Sequence, residues 1–228
     1  MVKYLVIIQA RISSTRLPAK MMMDLSGKTL LQRVYEIVAK SQFADKIVIA
    51  TSNEKSDDLI ELKSNELGFD VFRGSLNNVL ERFYECAKTY EAQNIIRICG
   101  DSPVISYKHI DKLIKKLETK EYEYCSIKNA VYGMSPEVFT FKSLENAYLN
   151  YRNEYDSEHV TPYIIDNAKV LIEDIEDIYQ KSYIRATIDI LEDYILMAKY
   201  FFYCENKRIE ANIDTYLAYV KEQNIVFE

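Results

Sequence analysis

The chain contains only two histidines, His109 and His159, in 228 residues, which excludes a histidine-rich metal site. Its four cysteines, Cys86, Cys99, Cys125 and Cys204, form no C-x-x-C pair. Neither a zinc ribbon nor a thioredoxin-type redox site is therefore expected, and free thiols are the simplest reading. No apolar run approaches the ~20 residues needed to cross a bilayer. The run near the start, residues 4–8, is also too short for a signal peptide and has no cleavage site after it. A cytoplasmic protein with no membrane partner is the expectation. A basic excess is missing too. Against 29 Lys and Arg stand 35 Asp and Glu, a net charge of −6, which argues against nucleic acid as a partner. There is no Pro/Gly/Ser-rich linker, no repeat and no low-complexity tract, so one domain over residues 1–228 is expected.

What is present is the composition of a folded globular chain, 48% apolar and 28% charged. Strand-like and helix-like stretches alternate in the first half. Residues 4–8 are continuously apolar, the pattern of a strand buried on both faces. Residues 29–39 carry Leu30, Leu31, Val34, Ile37 and Val38 at helical spacing. Strands are expected again at 46–51, 70–72 and 94–99, and helices at 57–67, 79–90 and 108–117. Gly68 closes the helix over 57–67. This order implies an α/β fold, a mostly parallel sheet with helices on both faces. The second half is less regular, with strands expected at 122–126, 138–141 and 170–175 and helices at 144–151, 192–206 and 214–222. Ligands of such a fold bind outside the carboxyl ends of the parallel strands.

The loop after the first strand runs from Gln9 to Lys20. Residues 1–23 hold Lys3, Arg11, Arg16 and Lys20 and no acid, where about 3.5 acids would be expected from the average composition. Arginine forks and a lysine point charge suit a polyphosphate. Ser13 and Ser14 are small enough for backbone N–H groups to approach phosphate oxygens. The alternative is a solvated basic loop. Two other nucleotide signatures fail. Gly27-Lys28-Thr29 looks like the end of a P-loop, but the first glycine would fall at Met22 and no strand runs into it. No G-x-G-x-x-G exists, which removes a nicotinamide or flavin Rossmann site. Two acids, Asp101 and Asp189, each close an apolar stretch, residues 95–99 and 186–188. Adjacent strands would bring both carboxylates to one sheet edge, where a divalent cation relieves their repulsion. A turn role for Asp101 and a helix-capping role for Asp189 are the structural alternatives.

The stretch Ile8-Gln9-Ala10-Arg11 through Ser14-Thr15-Arg16-Leu17-Pro18-Ala19-Lys20 resembles the signature loop of cytidylyltransferases. These include the CMP-sugar-acid synthetases and the spore-coat-polysaccharide-type nucleotidyltransferases, the second group being the nearer. Further blocks agree in order: Val48–Thr51, Phe72–Ser75, Val79–Arg82, Arg97–Pro103, Glu137–Phe139, Glu158–Tyr163 and Thr187–Asp189. The resemblance implies a single Rossmann-like, glycosyltransferase-A-like domain and an enzyme that transfers CMP from CTP to an acceptor, releasing pyrophosphate. The acceptor would be a nonulosonic-type sugar acid or a sugar or polyol phosphate, in surface polysaccharide or glycoconjugate synthesis. By the same resemblance, Lys20, Arg11 and Asp101 are catalytic. Ala10, Arg11, Ser13, Ser14, Arg16, Lys20, Thr51 and Arg73 bind the nucleotide. Arg82, Glu137, His159 and Thr161 line the acceptor side, and Asp101 and Asp189 hold Mg²⁺. A homodimer is implied as well. Relatives often carry glycine where this chain has Ser13 and Ala19, which strains the loop if either residue needs φ > 0. Two alternatives stay open. A glycosyltransferase of the same fold usually has Asp-x-Asp, where this chain has Asp101-Ser102-Pro103. A non-catalytic nucleotide-binding regulator would have no need of both Asp101 and Asp189. For residues 157–162, a simple helix start with Ser157 as cap competes with the acceptor role of His159.

Overall fold

The computed structural model describes residues 1–176, 179–181 and 183–227. The parallel strands are β1 (Val2–Gln9), β2 (Lys46–Ser52), β3 (Asp70–Gly74) and β4 (Ala92–Cys99). Between them lie α1 (Leu30–Val38), α2 (Asp58–Glu66) and α3 (Val79–Thr89), and α4 (Tyr107–Glu118) follows. The second half adds β5 (Tyr124–Lys128), β6 (Glu137–Thr140), α5 (Phe141–Asn150), α6 (Glu154–His159), α7 (Pro162–Asn167) and β7 (Val170–Asp174). The long α8 (Leu191–Lys207) and α9 (Ile213–Glu222) follow.

The seven strands form one sheet in the order β3-β2-β1-β4-β6-β5-β7. It is parallel except at β6, which runs antiparallel to both β4 and β5. The pattern of buried residues explains the layers. Along β1, Tyr4, Val6 and Ile8 enter one core with α1, α4, α8 and α9, while Leu5 and Ile7 enter a second core with α3 and α5. A strand buried on both faces has no polar alternation, hence the continuous apolar run.

Capping explains several boundaries. Thr29, Asn78, Ser106 and Thr140 each accept a backbone N–H three residues on, at the starts of α1, α3, α4 and α5. Gly68, at φ +73°, closes the turn after α2.

Three expectations are corrected. Residues 186–188 form no strand. Ile188 N and Thr187 Oγ1 donate instead to the carbonyl of Asp101, at 2.9 and 3.2 Å, so the segment is tied to a loop and not to a sheet edge. Two short helices, α6 and α7, occupy residues 154–167, where six-residue lengths give too little periodicity to read. The cap of α6 is Asn153 and not Ser157, and Pro162 begins a separate helix. Between them Val160, fully buried, sits at φ +69°, a conformation that costs a β-branched residue energy and is held by the surrounding packing.

Candidate active site

Gln9 and Cys99 end β1 and β4 and pair in register at the carboxyl edge of the sheet. Here the chain opens a polar cleft of about 340 Å³. Gly100 lets the β4 loop turn against β1. Its N–H donates to Gln9 O at 2.9 Å, and a Cβ would lie only 2.7 Å from that oxygen.

The loop from Ala10 to Lys20 is folded by its own backbone. Ile12 O accepts from the N–H groups of Ser14 and Ala19, both at 2.9 Å. Ile12 N donates to the buried carboxylate of Asp57 at 2.7 Å, and Asp57 also accepts from Ser52 N at 3.1 Å. Ala19 sits at φ +58°, so of Ser13 and Ala19 it is Ala19 that holds the left-handed conformation. This turn sends Lys20 inward.

Lys20 is buried, and its Nζ lies 2.8 Å from Asp101 Oδ2, 3.1 Å from Asp189 Oδ1 and 2.7 Å from the carbonyl of Ile188. Asp189 also meets Arg16 at 2.9 Å and Arg185 at 3.3 Å. The helix-capping alternative for Asp189 is not what the structure holds. Asp193 fills that role, accepting from Asp189 N and Ile190 N at 2.9 and 3.2 Å. Two carboxylates thus converge on one cation position. Among the described residues no group of three or more His, Cys, Asp or Glu side chains surrounds such a point. In this structure the Lys20 ammonium fills that position, so a hard ion taken up by the same two carboxylates would need Lys20 to move aside and would keep water and phosphate oxygens as its other ligands.

Ala10, Arg11, Ser14 and Arg16 line the cleft, as do Lys20, Asp101 and Asp189. Arg82 and His159 also line it, the latter with Glu154 and Glu158 on α6. Other expected site residues lie elsewhere. Ser13 is exposed outside the lining, and Thr51 is fully buried within β2. Arg73 turns to the outer side of β3, where it donates to Asp58 at 2.6 Å, to Glu61 at 2.7 Å and to the carbonyl of Ser52 at 2.9 Å. Its charge is satisfied there by α2.

Glu137 and Thr161, expected on the acceptor side, are not among the residues that line the cleft. Glu137 pairs with Arg97 and accepts from Tyr124 OH at 2.6 Å and Thr161 Oγ1 at 2.7 Å. Burial pushes the Glu137 carboxyl up, but the Arg97 guanidinium and these hydroxyl donors outweigh it, so its pKa falls below the ordinary value.

Sequence reading passed over Asp57, Arg97, Arg185 and Gln9 as site residues. Asp57 looks like any acid at a helix start, and only the folded chain brings it against Ile12. Cys99 also reaches the cleft. Burial pushes its thiol up to about 11, so it is a neutral thiol at physiological pH and no nucleophile.

A polar cleft at a parallel-sheet edge, where an acid-free basic loop faces two carboxylates, is that of an α/β enzyme handling nucleotide phosphates. Comparison with known proteins narrows the class. The family profile for cytidylyltransferases matches residues 5–227. The chain is 41% identical over 197 residues to an uncharacterised protein of Methanocaldococcus jannaschii, covering 85% of this chain and 81% of that one. It is 34% identical over 198 residues to the spore coat polysaccharide biosynthesis protein SpsF of Bacillus subtilis, covering 83% and 82%. A solved structure of a cytidylyltransferase from Leptospira borgpetersenii superposes with a TM-score of 0.88 at 30% identity, over 98% of this chain and 96% of that chain. This chain belongs to the cytidylyltransferase family.

Proposed function

We propose that the protein transfers CMP from CTP to a sugar-acid or sugar/polyol-phosphate acceptor, in surface polysaccharide or glycoconjugate synthesis. The observation that carries this reading is Lys20, held between Asp101 and Asp189 beside the basic loop. Arg11, Arg16 and Lys20 supply positive charge to the triphosphate, and the backbone of Ala10 and Ser14 borders the base and phosphates. An acceptor oxygen forms a bond to the α-phosphorus, and the bond from that phosphorus to the pyrophosphate oxygen breaks. A hydroxyl acceptor gives up its proton in this step, and His159 stands on the cleft rim as a base for it. A phosphate acceptor attacks already ionised. Asp101 and Asp189 would hold Mg²⁺, which when bound offsets charge on the α-phosphate. The protein's own part is positioning and charge neutralisation.

The test is pyrophosphate release with CTP, ATP, GTP and UTP against sugar acids and sugar or polyol phosphates. CTP is the expected donor, and equal use of a purine nucleotide overturns the reading. No helix among the described residues is long and apolar enough to cross a membrane. A cytoplasmic homodimer is part of the same proposal, checked by light scattering of the purified protein.

A further inference from the structure

The chain between α6 and α7 reverses through a single residue. Val160 has φ +69° and ψ −53°, and the N–H of Thr161 donates to the carbonyl of His159 at 2.8 Å. A hydrogen bond that spans one residue at these angles makes a γ-turn of positive φ, a rare and strained form with its ideal at about +75° and about −65°. Of the non-glycine residues at positive φ among the described residues, Val160 alone is β-branched, the type least suited to that conformation. Strain of this sort persists only where the surroundings over-determine it, and it collects at functional sites.

The surroundings hold this turn from every side. The Val160 side chain is fully buried in the core with α3 and α5, and its N–H donates to Asp156 O at 3.0 Å. Arg152 straddles the turn, meeting Asp156 on α6 and Asp166 on α7, both at 2.9 Å. Thr161 is buried, and its hydroxyl donates to Glu137 Oε1 at 2.7 Å, an oxygen that also accepts from Tyr124 OH at 2.6 Å. Glu137 on β6 stands opposite Arg97 on β4 in the sheet register and pairs with it. One carboxylate thus gathers donors from β4, β5 and the turn. Fixed by neighbouring strands, it cannot follow Thr161, so Thr161 follows it.

What the turn carries is His159. Its ring is exposed, lines the cleft and packs against Tyr155 with centroids 4.4 Å apart. Helix α6 has six residues, under two turns, which is too short to keep a direction by itself. The direction of His159 is therefore set by the turn that follows it. Arg97 Nε also donates to Gln9 Oε1 at 3.3 Å, so the same buried pair braces Gln9, another residue of the cleft wall.

We infer that Thr161 and Glu137 are positioning residues: through the strained turn at Val160 they aim the His159 imidazole into the cleft before an acceptor binds. The inference rests on the role of His159 in the transfer reading above and adds what holds that ring in place. Neither positioning residue lines the cleft, so each acts through the turn.

The full chain has two histidines, so NMR of the ring signals reads His159 with His109 as internal reference. T161V keeps the side-chain shape and removes the hydroxyl, and T161S restores it. T161V should move the His159 ring resonances and leave those of His109 in place. In pyrophosphate release with CTP and an active acceptor, T161V should lower kcat at least tenfold, with acceptor KM within threefold and the Kd of CTP within twofold. T161S should return kcat to within threefold of the parent. H159A should lower kcat at least as far as T161V, and the double variant should match H159A within twofold, because the hydroxyl acts through that ring. Unmoved His159 resonances or an unchanged kcat in T161V overturn the inference. So do two effects that multiply in the double variant, which would mean that Thr161 acts elsewhere. A normal kcat in H159A overturns the base reading instead, and the resonances then decide the positioning alone. If T161V gives no cooperative thermal transition, V160A decides. It trims the side chain that pins the turn and should shift the same resonances and lower kcat several-fold, and unchanged values overturn the inference.

Discussion

At the scale of single residues, the position of Lys20 changes what its removal should do. A loop lysine on a surface contributes little to stability, but this one is buried between two carboxylates and a carbonyl oxygen. Deleting the charge leaves Asp101 and Asp189 without their shared partner. Lys20→Met should weaken CTP binding at least tenfold and also cost about 2 kcal/mol of stability, a fall of roughly 5 °C in Tm. Titration calorimetry and thermal unfolding read the two effects separately. The two acids should differ as well. The Asp101 side chain is 25% exposed and meets Lys20, while that of Asp189 is 6% exposed and meets Arg16, Lys20 and Arg185. Asp101→Asn and Asp189→Asn should both abolish turnover. Asp189→Asn should in addition lose about 2 kcal/mol, because its buried carboxylate is shared by Lys20, Arg185 and the more exposed Arg16. Urea unfolding of the two variants in metal-free buffer distinguishes them.

At the scale of elements, Arg73 shows how a motif residue can serve the scaffold. Its guanidinium ties β3 to the first turns of α2 and to the carbonyls of Ser52 and Glu54. Arg73→Ala should lower stability by about 1 kcal/mol, since both acids are partly exposed and screened. CTP affinity should stay within twofold, and loss of binding without loss of stability would return Arg73 to the nucleotide.

A second tie between elements responds to acid. Glu176, just after β7, accepts from His109 Nε2 at 2.8 Å and Lys112 Nζ at 2.9 Å, both on α4. The hydrogen bond from His109, then that from Lys112, holds its carboxyl down to about 2. An unfolded glutamate titrates near ~4.3. The folded value is lower, so this contribution is complete above about pH 4.3 and disappears as the pH falls towards 2. Glu176→Gln should flatten the loss of stability across that window, read as urea midpoints at pH 5, 4 and 3.

At the scale of the whole molecule, the cleft draws on β1, β4, α3 and α6, together with loops from Ala10 to Lys20 and around Asp101 and Asp189. A ligand spanning these parts links both hydrophobic cores. CTP at a hundredfold excess over its Kd should stabilise the protein by about 2.7 kcal/mol through mass action, roughly 8 °C in Tm. A chelator should remove much of that shift if Asp101 and Asp189 take up Mg²⁺, and differential scanning calorimetry measures both.

The sequence by itself determined the parallel half of the sheet, because β1, β2 and β4 are apolar on both faces and read as strands without alternation. It also determined the basic loop, because charge and its absence are local properties, visible in Arg11, Arg16 and Lys20 with no acid nearby. Asp101 was legible for the same reason, as an acid directly after an apolar run. Tertiary structure alone decided the rest. Asp189 reaches Asp101 through an irregular segment whose hydrogen bonds go to a loop, and no periodicity encodes such a contact. Arg73 and Arg82 look alike in sequence, yet one meets Asp58 and Glu61 while the other is buried in the cleft with no acid among the described residues bonded to it. Asp57 and Arg97 act across 45 and 88 positions, on Ile12 and Gln9. Where a charged side chain finds its partner depends on which distant element folds against it, and that is settled by packing of the two cores.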